Sequence, residues 1–331
     1  MKVYINGTGS ALPDRVVTNE DLAPALGMSP EQIVKSSGIR RRHWAGPETS
    51  TSKLAADALK QALEDAQVAP AEVDYLVFGT MTPDRFIPGS APAVQQILGL
   101  GEIPCLDIRE ACCNALYALQ LARALVMSGT AKYVAICLAE VQSRFLELTP
   151  EAGTTSMLFG DGAAAFVVSA EPKASALEIS DVYLGTDGTY VDDLGIRSPG
   201  SEFGRVQSSE NLTDFAPRMK GQSVILNASR RLVSSCRAIL ERNGLQGTDI
   251  RWLVPHQANA NLLAQVLKSL GLQGAEGVLV SIIEDTGNTS SASMGLALDH
   301  LRRSNTIQTG DWLLLPAFGA GFMWGAGLCR A

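Results

Sequence analysis

A duplicated α/β fold is what this sequence predicts, and three observations predict it. The chain has 331 residues, enough for two ordinary domains, each with its own core. Apolar residues make up 46% and charged residues 18%, the balance of a well-packed globule rather than a disordered chain. The third observation is that segments of the first half reappear in the second in the same order.

Residues 53–77 read KLAADALKQALEDAQVAPAEVDYLV, and 227–254 read NASRRLVSSCRAILERNGLQGTDIRWLV. Both are an amphipathic helix, a turn and a short acid-led strand; Leu54, Ala58, Leu59, Ala62 and Leu63 form the apolar face of the first helix. AKYVAICLAE (131–140) and GDWLLLPAFG (310–319) are buried-strand patterns. Each leads to a glycine turn and another strand, MLFGDGAAAFVVSA (157–170) and FGAGFMWGAGLCRA (318–331). Matching Val254 to Val77 sets the offset near 177 residues, and EPKAS breaks the pattern at the join, giving halves 1–172 and 173–331. Strands alternating with crossover helices predict mostly parallel sheets covered on both faces. The 31 glycines predict close helix–sheet packing.

Charge and composition narrow the function. A net charge of −7 argues against a nucleic-acid partner, which needs a basic face. No apolar run approaches the ~20 residues of a membrane helix, and the start, MKVYINGTGSALP, reads as strand and turn rather than signal peptide. The six cysteines form no CxxC pair, so no metal site is expected and a cytoplasmic location with reduced thiols fits.

Candidate chemistry lies in three segments. In EIPCLDIREACCNALYALQLARALVMSG (102–129), PCLDI reads as a short buried strand and 114–127 as a helix stopped by Gly129. Cys112 and Cys113 therefore fall at a helix N-terminus, where free N–H groups and the macrodipole favour a thiolate; buried cysteine is equally a core residue. In VPHQANANLLAQVLKSLGL (254–272), His256 follows a strand and precedes a helix, the position where α/β proteins place ligand sites. The other histidines, His43 in RRRH and His300 at a helix end, lack that setting. In SIIEDTGNTSSASMGLALDHLRR (281–303) a strand again leads to a turn and a helix. Asn288 falls 176 residues after Cys112, so the repeat places both at corresponding helix starts, although asparagine is also a common N-cap. Duplication would gather the strand ends of both halves, with Cys112, His256 and Asn288, around one crevice.

Several stretches carry a resemblance over the whole length: GTGSALPDRVVTNEDL, SSGIRRRH (36–43), LDIREACCNALYAL (106–119), FGDGAAAFVV (159–168), HQANANLL (256–263), GNTSSASMGLAL (287–298) and AFGAGFMWGAGL (317–328). The chain resembles the β-ketoacyl-acyl-carrier-protein synthase III branch of the thiolase superfamily. The resemblance implies a thiolase-like five-layered αβαβα fold, a homodimer, and a nucleophile at Cys112 rather than Cys113, with His256 and Asn288 completing a triad. It implies acyl transfer from a thioester to Cys112, then decarboxylative condensation with a malonyl thioester. The backbone N–H groups of Cys112 and Ala320 would form the oxyanion hole. His256 Nε2 and the Asn288 amide would stabilise the malonyl enolate, with no metal or redox cofactor; thioesters of coenzyme A or acyl carrier protein would be substrates. The implied acyl pocket is Met81, Ile87 from the partner subunit, Gln142, Phe159 and Leu194.

The sequence departs from the family pattern where coenzyme A binds. Gln32, Ser36 and Asn261 stand where tryptophan and arginines are usual. Arg40, Arg41 and Arg42 are candidate replacements, and Arg218, Lys220, Arg230 and Arg231 are candidates for docking an acidic carrier. LGTDGTYVDDL and SPGS at 184–201 are similar to members of specialised metabolism, leaving that role open beside fatty-acid initiation. Two other readings are open: transfer of the acyl group to an alcohol or amine without decarboxylation, and a non-catalytic subunit shaping a partner.

Overall fold

The structure is a computed structural model and describes residues 1–198, 200–202, 216–272 and 278–331. Pro199 of the SPGS stretch lies outside them. In chain order the first half holds β1 (Tyr4–Ala11), β2 (Val16–Thr18), α1 (Asn19–Leu26), α2 (Pro30–Ser37), β3 (Arg41–His43), α3 (Thr51–Ala66), β4 (Tyr75–Gly79), α4 (Ala91–Leu98), β5 (Cys105–Ile108), α5 (Asn114–Met127), β6 (Val134–Glu140), α6 (Gly153–Ser156) and β7 (Gly162–Ser169). The second holds β8 (Leu177–Thr186), β9 (Leu194–Gly195), β10 (Arg218–Met219), α7 (Gly221–Arg242), β11 (Ile250–Leu253), α8 (Ala260–Ser269), α9 (Ile283–Thr286), α10 (Ser293–Arg303), β12 (Trp312–Gly319) and β13 (Met323–Arg330).

One nine-stranded ladder runs β11-β12-β13-β8-β1-β7-β6-β4-β5. Its two parts meet where β1 pairs with β8 through only Tyr4–Glu178 and Ile5–Leu177. On one side the order is β5-β4-β6-β7-β1; on the other, Leu279 bridges to β11, followed by β12, β13 and β8. Counted along the chain, both sides read third, second, fourth, fifth, first. The pairing signs match as well: β4–β5, β4–β6 and β11–β12 are parallel, while β6–β7, β7–β1, β12–β13 and β13–β8 are antiparallel.

The expected mostly parallel sheet is therefore mixed. The reason is connection length: only Ala320 to Phe322 separate β12 from β13, far too few for a crossover, so the chain must return as a hairpin.

The layers follow from which helix faces are apolar. α3 covers the outside of β1, β6 and β7 with Leu54, Ala58, Leu59, Ala62 and Ala66, all buried. Its closeness depends on Gly7 and Gly9 of β1: a Cβ there would lie 2.2 Å from Ala62 O and 2.1 Å from Ala58 O. α7 and α8 cover the outside of the other part. Between the two parts lie α5 and α10, apolar on most sides and packed with Ile136, Phe166, Leu313 and Leu315 in one core. That is helix, sheet, helix, sheet, helix, the five-layered arrangement.

β5 was expected to be buried. Among the described residues it lies at the sheet edge and pairs only with β4, and all four of its residues are half-buried. A strand was also expected before Asn288. Among the described residues that segment makes a single bridge at Leu279, and the short α9 occupies 283–286.

Candidate active site

Cys112 sits in a 3-10 turn, Ala111–Cys113, between β5 and α5. The turn is tight because Ala111 adopts the left-handed conformation, φ 49°. Cys113 is fully buried in the central core, whereas Cys112 keeps 8% of its surface exposed. Of the two, Cys112 is the one that retains exposed surface. The end of β12 passes over this turn. A Cβ on Gly319 would lie 3.0 Å from Cys112 N and 3.4 Å from Cys113 N, so glycine permits the approach. Ala320, the second candidate oxyanion donor, is the next residue along the chain from Gly319.

Burial disfavours the thiolate form of Cys112. Burial pushes its pKa up to about 12; the Ser290 hydroxyl at 3.3 Å opposes this, and the negative charge of Glu140 adds to it, both as smaller influences. From an ordinary value of 9.0 that is roughly 4 kcal/mol against ionisation, more than the ~2 kcal/mol a helix N-terminus supplies at best. Burial thus opposes the expected dipole stabilisation, because a thiolate in this turn loses its hydration.

His256 follows β11 and is 2% exposed. Its backbone N–H donates to Pro316 O at 2.9 Å. Its ring meets Phe318 edge-on at 5.6 Å, and Phe322 stacks on Phe318 at 5.7 Å. This apolar burial lowers the imidazole pKa to about 3, so the ring is neutral at physiological pH. Nδ1 lies 2.6 Å from Ser293 Oγ, and Nε2 is buried without a partner.

Asn288 is held by its backbone, which donates to Leu158 O at 2.8 Å and accepts from Gly160 N at 3.1 Å. Its Oδ1 accepts the Ser290 N–H at 2.9 Å, which leaves the amide Nδ2 as the donor end. Residues 288–293 thus gather the three candidates: Asn288 itself, Ser290 on Cys112 and Ser293 on His256. The register of that segment differs from the expected one. The residue structurally equivalent to Cys112 is Ser291, in the 3-10 turn Ser290–Ala292; Asn288 matches Arg109. Aligning helix starts by counting residues had slipped by three.

Ser290, Ser293, Phe318 and Glu140 were not singled out from the sequence. Glu140 ends β6, fully buried, and accepts from Thr82 Oγ1 and Ser291 Oγ at 2.7 Å and from Met81 N at 3.1 Å. Burial raises its pKa to about 7 against these bonds. A charged residue closing the apolar run AKYVAICLA was the available signal, as were the serines of GNTSSAS.

The candidate acyl-pocket residues surround this cluster unevenly. Met81 binds Glu140 through its N–H, Phe159 bridges to Asn288, and Leu194 packs on the Phe318 and Phe322 group. Gln142 is buried with Nε2 unpartnered. Ile87 is 79% exposed, so it lines no pocket within its own chain.

Gln32, Ser36 and Asn261 are engaged within the chain. Gln32 Oε1 caps α2 by accepting the Ser29 N–H at 2.7 Å, and Asn261 Nδ2 donates to Lys35 O and Ser36 O. Arg42 is excluded as a phosphate contact: it is fully buried and donates to Asn19 Oδ1 and Met157 O at 2.7 Å each. Arg40 and Arg41 pair with Glu284 and Asp285. Lys220 pairs with Asp193, and Arg231 with Asp187 while lying 4.0 Å over Trp324. Arg218 also has a partner, and Arg230 lies along an α7 surface groove with Arg237 and Glu241. Among the described residues no cluster of three or more His, Cys, Asp or Glu could hold a metal ion, and no helix is long and apolar enough to cross a membrane.

Comparison with known proteins places this geometry in a family. Residues 106–188 match the family described as 3-oxoacyl-[acyl-carrier-protein (ACP)] synthase III, and residues 240–331 match its C-terminal counterpart. Residues 38–144 match the thiolase N-terminal domain. The chain is 38% identical over 322 residues to β-ketoacyl-[acyl-carrier-protein] synthase III 3 of Streptomyces coelicolor, covering 97% of this chain and 95% of that one. The crystal structure of 3-oxoacyl-[acyl-carrier-protein] synthase III from Aquifex aeolicus superposes with a TM-score of 0.90 at 31% identity, covering 99% of this chain and all of that one. The priming β-ketosynthase from the R1128 polyketide biosynthetic pathway also gives 0.90, at 33% identity, covering 99% and 96%. Family matches, near full-length identity and fold agree that the chain belongs to the 3-oxoacyl-[acyl-carrier-protein] synthase III family and is a condensing enzyme of the thiolase fold.

Proposed function

We propose that Cys112 accepts an acyl group from an acyl thioester and that the acyl-enzyme condenses with a malonyl thioester to give a 3-oxoacyl thioester. The observation that supports this reading is that the segment 288–293 links the three residues: Ser290 contacts Cys112 and donates its N–H to Asn288 Oδ1, while Ser293 contacts neutral, buried His256, whose Nε2 is free. In the first half-reaction the Cys112 sulfur attacks the thioester carbonyl, and the carrier leaves as a thiol with the cysteine's proton. The Cys112 and Ala320 N–H groups receive the oxyanion. In the second, the malonyl bond to its carboxylate breaks and carbon dioxide leaves. The electron pair moves into an enolate held by His256 Nε2–H and the Asn288 amide. The carbanion then attacks the acyl-cysteine, and Cys112 leaves as thiolate. A histidine held neutral by burial suits a donor better than a base, and no metal or redox cofactor enters the balance.

The acyl pocket is assigned to Met81, Gln142, Phe159 and Leu194, completed by Ile87 of a second copy. Support for a homodimer comes from β5, an edge strand unpaired on one side among the described residues, near Phe86, Ile87 and Ile97, which are 65%, 79% and 50% exposed. Ile87→Trp is expected to exclude longer acyl groups while leaving the fold intact. At least one substrate arrives on an acidic carrier protein, docking near Arg218, Lys220, Arg230 and Arg231, since Gln32 and Asn261 are occupied within the chain. The enzyme works in the cytoplasm, in fatty-acid initiation or specialised metabolism.

Intact-protein mass spectrometry after exposure to a panel of acyl thioesters, followed by addition of malonyl thioester, tests the function. The expected result is one acyl mass on the protein, lost as a 3-oxoacyl product appears with carbon dioxide. Acyl uptake with transfer to water, amines or alcohols and no decarboxylation would refute it. Repeating the assay on carrier protein and on coenzyme A across a salt series tests docking: carrier-borne rates should fall as salt rises.

A further inference from the structure

Ser293 does not touch the reacting atoms in the scheme above, yet it is the hydrogen-bond partner of the His256 ring. Its Oγ lies 2.6 Å from Nδ1 and accepts the Gln257 backbone N–H at 3.1 Å; the side chain is 1% exposed. Two arrangements of the protons are possible. If Nδ1 carries the ring proton, it donates to Oγ. The hydroxyl then receives two donors, and its own proton has no acceptor among the described residues. Nε2 would be a buried lone pair with nothing to accept from. If instead the Ser293 hydroxyl donates to Nδ1, it accepts from Gln257 and gives to the ring, and both of its contacts are satisfied. The ring proton is then on Nε2, the one buried ring atom without a partner. The first arrangement strands a donor and an acceptor, the second a single donor, and buried unsatisfied groups are costly.

We infer that Ser293 is a positioning residue that fixes His256 as the Nε2–H tautomer, so that the histidine meets its substrate as a hydrogen-bond donor. The inference rests on the proposed role of His256 but concerns the resting protein, so it is testable without substrate. Ser293 opens α10, next to the turn that carries Ser290. One helix start therefore sets the histidine's proton while its neighbour contacts the cysteine. A threonine at 293 keeps the hydroxyl; alanine removes it.

The test is solid-state 15N NMR on protein labelled in its three histidines, His256 being identified by its loss in His256→Gln. The expected wild-type spectrum has His256 neutral, with Nε2 protonated and Nδ1 bare. In Ser293→Ala the two tautomers should mix, malonyl decarboxylation kcat should fall about 10- to 100-fold, and acyl uptake by Cys112 should be unchanged. Ser293→Thr should restore the tautomer and the rate together. A wild-type Nδ1–H tautomer, or a Ser293→Ala protein that keeps Nε2–H and full decarboxylation, would overturn the inference. If the tautomer responds as described but wild-type protein never decarboxylates malonyl thioesters, the inference stands and the proposed function falls.

Discussion

The two 3-10 turns that start the central helices are the same backbone put to different uses. Ala111 and Ser290 are both left-handed, with φ of 49° and 48°, and each opens a turn that runs into a long helix, α5 or α10. At the next position one turn has Cys112, which retains some exposure, and the other has Ser291, wholly buried and donating to Glu140. In the proposed scheme the first turn offers the nucleophile. The second faces into the molecule and orients what surrounds that nucleophile: Asn288, Ser290 and, through Ser293, His256. A duplicated unit can hold one geometry twice while its side chains divide the labour, because the backbone is set by local dihedrals and the chemistry by what each turn packs against.

The sharpest way to break this comparison is to move the nucleophile. Cys112→Ala should abolish acyl-enzyme formation, and adding Ser291→Cys should not restore it, because position 291 faces Glu140. Cys113→Ala should still be acylated. Peptide mapping after exposure to an acyl thioester reads the outcome, and acyl label on Cys113, or at position 291 in the double variant, would overturn the contrast between the turns. Next, His256→Ala or Asn288→Ala should lower condensation by about 10²–10³ through loss of one donor to the developing enolate. Acyl uptake should persist in both. Near wild-type condensation in both variants would overturn the proposed mechanism.

The thiol's ionisation is also open to measurement. With its pKa near 12, Cys112 in the resting enzyme should be about one part in 10⁵ thiolate at pH 7. Its alkylation by iodoacetamide should therefore climb roughly tenfold per pH unit from pH 6 to 10. A plateau by pH 8 would mean that the helix terminus outweighs burial after all. The smallest effect belongs to the inward turn. Ser291→Ala removes one donor from the buried Glu140 carboxyl and should cost about 1.5–3 kcal/mol in urea denaturation. Acyl loading should be spared, since the Ser290 hydroxyl, not that of Ser291, contacts Cys112.

Local pattern was enough for much of this. Apolar periodicity and glycine turns marked α3, α5, α7, β6 and β12, and the ordered repeat implied duplication, because those signals reside in neighbouring residues. Motifs led to Cys112, His256 and Asn288 as candidates, and the hydrogen bonds of residues 288–293 link them. Distance in three dimensions was not legible. Ser293 lies 37 residues from His256, Ser290 lies 178 from Cys112, and Ser291 lies 151 from Glu140; no periodicity links such pairs. The slip that matched Asn288 to Cys112 has the same origin, since equal counts along two halves do not survive loops of unequal length. Burial was the other unknown: Arg42 in RRRH reads as a surface cation until Asn19 and the Met157 carbonyl enclose it. The thiol near 12 and the imidazole near 3 were likewise decided by packing, because desolvation depends on what covers a group and not on the residues beside it in the chain.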